Sequence, residues 1–192
     1  MLSTERVGLF HVPIIMGKCD IPHKEIELHV REKMRAQDTY TSYYDAKLNQ
    51  EITRELPHRE AMEKVMRDIS MEFLEMRGGD LTRYAKTKPS YWFSVYTTNE
   101  EHCLHVHPRS HVAGTYYPYA DEDSSPIRFR CPYSTAQHMG EPHAAATKDW
   151  HFHYPRTGEI NVWPPWLEHQ IRPNNNVDES RARIAISFNF GQ

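Results

Sequence analysis

Apolar residues in this chain recur with a helical period up to about residue 90 and with a period of two thereafter. That switch limits its fold more than any other feature. Beyond it lie eight short alternating segments: 91–96 (YWFSVY), 103–107 (CLHVH), 112–118 (VAGTYYP), 127–131 (IRFRC), 150–154 (WHFHY), 159–163 (EINVW), 168–172 (EHQIR) and 182–190 (ARIAISFNF). Turns rich in Pro, Gly, Asn, Asp and Ser separate them. Eight short strands after a helical stretch predict a mainly β fold, a barrel or sandwich with helices packed outside it. The 192 residues suit a single domain, with 1–89 as helical support and 90–192 as the β core.

The first half is less regular. GLFHVPII (8–15) reads as an edge strand, because its proline cannot donate to a ladder. Residues 23–36 can be helical, with Ile26, His29, Val30 and Met34 roughly on one face, and 38–57 read as irregular. The clearest helix is 59–77, where Met62, Val65, Met66, Ile69, Phe73 and Met76 recur at three- and four-residue spacing before Gly78-Gly79 stops it. The polar stretch 133–148 is long for a barrel connection and is the expected lid.

Charge narrows the function classes. Lys+Arg is 23 against 26 Asp+Glu, a net −3, so no basic field exists to grip nucleic acid. No apolar run reaches membrane-spanning length, and the N-terminus lacks the pattern of a signal peptide. Cys19, Cys103 and Cys131 are too scattered for a disulfide framework and suit a reducing, cytoplasmic setting. Oligomeric state is open, a homodimer included.

Histidine is in excess: 13 in all, nine of them between His102 and His169. His105-Val106-His107-Pro108 places two imidazoles two residues apart. In a strand that spacing puts them on one face, about 6.5–7 Å apart at Cα, within reach of one metal ion. The competing reading is a solvated strand face. His151-Phe152-His153 is a second such pair, read as a half-exposed face, and His169 alone would suit a structural role.

In the last segment Arg183, Ala185, Ser187 and Asn189 share one face, while Ile184, Ile186, Phe188 and Phe190 share the other. The apolar face should meet the helices, which turns Arg183 into the barrel. A buried guanidinium is costly without an anion. A bound carboxylate would supply one, as would an acidic side chain on another strand. Tyr117 lies on a face with Thr115 and Tyr119; its phenol, if buried, wants a hydrogen-bond partner, and the competing reading is a core aromatic with its hydroxyl at the rim.

Three stretches, LFHVPI, HVHPRSHVAGTYY and PPWLEHQIRP followed by RIAISFN, span residues 9–190. Together they resemble the small 2-oxoglutarate–Fe(II) oxygenases, and the second half also resembles prolyl hydroxylases. The resemblance implies a double-stranded β-helix (jelly-roll, cupin-like) barrel with the N-terminal helices outside. It implies Fe(II) on His105, His107 and His169, with 2-oxoglutarate as cosubstrate and O2 as oxidant. Arg183 would bind the distal carboxylate of the keto acid, Tyr117 would hydrogen-bond it, and Ser187 would assist. The reaction implied is hydroxylation of an unactivated C–H bond in a small molecule or a protein side chain. His107 departs from the usual pattern, which has a carboxylate there; Asp149 is the nearest acidic substitute. A three-His metalloenzyme without keto acid and a non-catalytic ligand-binding barrel are the alternatives.

Overall fold

A computed structural model describes residues 12–98, 100–133, 149–173 and 178–191. Fourteen-residue helix α1 (His23–Ala36) follows Pro22 and buries Ile26, Val30 and Met34, one residue per turn. Helix α2 (Ala46–Arg54) lies within the stretch expected to be irregular. Only Leu48 and Ile52 mark its buried face, too few for a periodic signal, and its start is set by Asp45, whose side chain accepts from the Leu48 N–H at 2.9 Å. Helix α3 (Arg59–Met76) buries Met62, Met66, Ile69 and Phe73, as its spacing predicts, but leaves Met76 exposed. Gly78 adopts φ 73° and the Gly79 N–H returns to the Leu74 carbonyl, which ends the helix.

Apart from two short 3-10 turns, Leu81–Tyr84 and Glu179–Arg181, the remaining elements are strands. They are β1 (Ile15–Lys18), β2 (Ser90–Tyr96), β3 (His102–His105), β4 (Val112–Tyr119), β5 (Ile127–Arg130), β6 (Trp150–His153), β7 (Glu159–Trp163), β8 (His169–Ile171) and β9 (Arg183–Phe190). Each of the eight segments expected beyond residue 90 has its strand. The N-terminal strand begins at Ile15, where the expected one ends. Pro13 has no N–H to donate, and pairing with β7 starts beyond it, at Ile15 opposite Val162. Residues 1–11 and 134–148, and with the latter nearly all of the expected lid, lie outside the described residues.

Two antiparallel sheets result, with strand orders β1-β7-β4-β9-β2 and β3-β8-β5-β6. They form the expected double-stranded β-helix with the helices outside. Alternation along β9 divides the core. Ile184, Ile186, Phe188 and Phe190 join one apolar cluster with Ile26, Met66 and Phe73 of the helices. Ala185 joins a second, between the sheets, with Tyr117, Phe129 and Trp163. Tyr119 departs from expectation. An irregularity between Tyr116 and Tyr119 turns it to the helical side, opposite Ile184, where its ring lies 4.8 Å from the Arg31 guanidinium. Arg31 also donates to the carbonyls of Glu179 (2.9 Å) and Ala182 (2.8 Å), so α1 fixes the chain just before Arg183. No helix among the described residues is long and apolar enough to cross a membrane.

Gly114 is the tightest point of the large sheet. A Cβ there would lie 2.3 Å from the Phe188 ring and 2.8 Å from the Asn161 carbonyl oxygen. Gly114→Ala should therefore destabilise the protein by about 1–3 kcal/mol through overpacking, read as a fall in the thermal midpoint of roughly 2–4 °C per kcal/mol.

Candidate metal centre

His105 ends β3 and stands opposite His169 on β8. The two-on-one-strand reading of the H-x-H pair needs correction here. β3 stops at His105, and His107 follows in the loop, where its N–H donates to the Pro165 carbonyl at 2.8 Å. That bond ties the loop to the segment before β8 and turns the His107 ring inward. His107 and His169 are buried and His105 is half-buried. Their ligand nitrogens all lie within 4.8 Å of one another, and among the described residues no carboxylate joins them. Asp149, the substitute considered, is exposed and outside the group.

The second nitrogens of these rings decide what the cluster can do. His105 Nδ1 donates to the Cys103 carbonyl at 2.7 Å, and His169 Nδ1 donates to the Leu167 carbonyl at 2.8 Å. His107 Nδ1 donates to Asn189 Oδ1 at 2.6 Å. Each Nδ1 carries its proton, so in the neutral ring each Nε2 presents a bare lone pair. The Nε2 atoms of His107 and His169 are 3.1 Å apart. With no proton between them the contact is repulsive, and a cation relieves it. Two ligands each about 2.1 Å from one ion would span that distance at roughly a right angle. A set of three imidazoles fits a divalent transition metal such as Fe(II) and leaves other coordination positions open.

Burial favours the neutral, metal-binding form. It pushes His107 down to about 4 and His169 down to about 2, and lowers His105 as well. His102, which the sequence reading passed over, stacks on His105 with centroids 4.0 Å apart and is also depressed to about 4 by burial. Trp92 stacks on His107 at 5.7 Å, and the edge of Trp163 meets His169 at 5.0 Å.

Deeper in the barrel, Arg183 is fully buried. One Nη donates to the Ser125 carbonyl at 2.5 Å, and its guanidinium lies 4.3 Å over Tyr96 and 5.9 Å from the Tyr117 ring. Its Nε and other Nη have no partner among the described residues, and neither does the Tyr117 hydroxyl. Ser187 faces Thr115 across β4 and β9, with oxygens 3.4 Å apart. Asn161 and Trp163, on the inner face of β7, also carry unpartnered polar atoms. Six of the seven such buried atoms among the described residues therefore line this interior, where the fold leaves hydrogen-bonding capacity for a polar occupant. They suit an anion with carboxylates, such as 2-oxoglutarate. Asn161 was missed in the sequence, although it is a polar residue at an inward position of an apolar strand, and Asn189, expected on the inward face, was given no role there. His151 and His153 form the expected half-exposed pair: His151, opposite Phe129, is exposed, and His153, opposite Ile127, is half-buried and meets Glu159 at 3.0 Å.

In metal-free protein the depressed imidazoles stay neutral where the unfolded chain's histidines take up protons, from about pH 6.5 downward. The unfolded state then binds more protons, so stability should fall as pH drops from about 6.5 to 4, by up to ~1.4 kcal/mol per pH unit per histidine. Thermal melts of chelator-treated protein at pH 7 and pH 5 measure the loss, and His107→Gln should flatten it.

Residues 90–189 match the family model described as "Putative 2OG-Fe(II) oxygenase". No curated protein matches the sequence. Among solved structures, the chain is similar to a Pseudomonas putida prolyl-4-hydroxylase, 13% identical, with a TM-score of 0.58 over 94% of this chain and 93% of that one. AviO1 from Streptomyces viridochromogenes Tue57 is 14% identical, with a TM-score of 0.59 over 94% and 90%. HygX from Streptomyces hygroscopicus, solved with iron bound, is 10% identical, with a TM-score of 0.52 over 94% and 82%. At these identities the structures share the fold, and the family follows from the match across the β core: the chain belongs to the 2OG-Fe(II) oxygenases.

Proposed function

We propose that the protein is an Fe(II)- and 2-oxoglutarate-dependent hydroxylase of an unactivated C–H bond, in a small molecule or a protein side chain. One observation carries this reading: three bare imidazole nitrogens and an arginine with no acidic partner among the described residues occupy one barrel interior. His105, His107 and His169 would hold the iron, and Arg183 and Tyr117 would take the distal carboxylate of the keto acid, with Ser187 beside them. Fe(II) with keto acid and O2 supplies the oxidising power for C–H hydroxylation, as decarboxylation of 2-oxoglutarate yields succinate and CO2.

The chain's own contribution is placement and charge. Three neutral ligands leave the full double charge on the ion, so the site strongly favours a dianionic cosubstrate. Arg183 adds a second cation at the far end, preorganised by Ser125 and Tyr96 before any ligand arrives. Tyr117 is held as a neutral donor, because burial raises its phenol well above the ordinary range. The surrounding Trp92, Phe129 and Trp163 exclude water from the reacting centre. A cleft of about 470 Å³ is lined by Phe129, Leu167, Trp150 and His151; Phe129, whose ring lies 5.9 Å from that of His169, links it to the histidines, and the cleft would offer the substrate an approach. The net charge argues against a nucleic-acid substrate, and cysteine usage favours the cytoplasm.

The all-nitrogen ligand set also suits a cupin-like metalloenzyme without keto acid, in which Arg183 would hold the substrate's own carboxylate. Two measurements separate the readings. Anaerobic protein with Fe(II) and 2-oxoglutarate should show the visible absorption of a keto acid–iron complex, and Arg183→Ala should weaken keto acid binding on the order of 100-fold. Oxygen uptake should require 2-oxoglutarate. Uptake at the same rate without it, or equal keto acid affinity in the variant, contradicts the proposal.

A further inference from the structure

Asn161 is 1% exposed, and neither its Nδ2 nor its Oδ1 has a hydrogen-bond partner among the described residues. Leaving both groups of a buried amide unsatisfied is unfavourable, and a polar occupant would relieve it. Its neighbours on β7, Ile160 and Val162, point into the helical cluster, so Asn161 points between the sheets. Two residues along the same face, Trp163 Nε1 is a further buried donor without a partner.

Strand register gives the height of Asn161 in the barrel. Asn161 pairs with Thr115, Thr115 with Ser187, and Ser187 with Trp92. The ring of Trp92 lies on His107. The next inward residue of β9 toward the histidines is Asn189, which holds His107. Arg183 lies four residues from Ser187 in the other direction. Asn161 therefore stands level with Ser187, one inward residue from Asn189 at the histidine end and two from Arg183, on the metal side of the interior's midpoint.

We propose that Asn161 binds the metal-side carboxylate of the keto acid, through Nδ2–H, and so selects 2-oxo acids at the end opposite Arg183. This inference rests on the proposed cosubstrate, and it assigns the keto acid two separately testable ends. An anion with only the metal-side end, such as oxalate, should depend on Asn161 and not on Arg183.

Nickel(II)-loaded protein, which binds without turnover, permits calorimetric titration with 2-oxoglutarate and with oxalate. Asn161→Asp keeps the shape but replaces the donor with an anion, and should weaken both ligands by about 10- to 100-fold. Asn161→Leu, close in size, should weaken both about tenfold while nickel binding stays as in wild type. Arg183→Ala should weaken 2-oxoglutarate alone. Wild-type-like oxalate affinity in both Asn161 variants overturns the assignment, as does loss of nickel binding in parallel with the anions. If wild type binds no 2-oxoglutarate, the cosubstrate reading itself fails, a result distinct from either of these.

Discussion

Residue alternation along β9 sets apart the two environments that the protein needs. Its apolar side chains, Ile184, Ile186, Phe188 and Phe190, are buried against the helices. That burial forces Arg183, Ala185, Ser187 and Asn189 inward, between the sheets. A slip of one residue would exchange the faces, putting the guanidinium among the methionines of α3 and the phenylalanines into the ligand space. Gly114 allows the Phe188 ring to cross β4, and Arg31 pins the carbonyls at the start of the strand. The outer layer thus holds the register on which the inner site depends.

Within that frame the site accumulates like-acting groups that only a ligand reconciles. Three imidazoles, each with its second nitrogen committed to an oxygen acceptor, direct lone pairs at one another. At the other end, a buried guanidinium has, among the described residues, a single carbonyl bond and two aromatic rings beside it. Neither arrangement is favourable when empty. In the proposed reading a divalent cation would satisfy the first and a carboxylate the second, and a keto acid long enough to touch both would join them. Stability given up in the metal-free, ligand-free protein returns as affinity.

Much of this was legible in the sequence, for reasons that follow from periodicity. Two-residue alternation located eight strands, and the same alternation in RIAISFNF separated the inward arginine from the helix-facing phenylalanines. Excess histidine pointed to a metal, and the family resemblance pointed to His105, His107 and His169, which the structure brings together. Helix α2 escaped notice because two buried residues make no period. The turning of Tyr119 depends on an irregularity in pairing with β9, which no local pattern announces. His107 proved to lie beyond its strand, held by a contact to Pro165 that is remote in sequence. Asn161 and Asn189 matter through what they face, and facing is a property of the assembled sheets.

In the proposed enzyme, three histidines and an arginine hold one metal and one keto acid in a single barrel. A crystal structure of the anaerobic Fe(II) and 2-oxoglutarate complex is the decisive test. Iron should lie on the Nε2 atoms of His105, His107 and His169, with the distal carboxylate of the keto acid on the guanidinium edge of Arg183. Iron bound elsewhere, or a keto acid that leaves Arg183 untouched, would contradict the proposal.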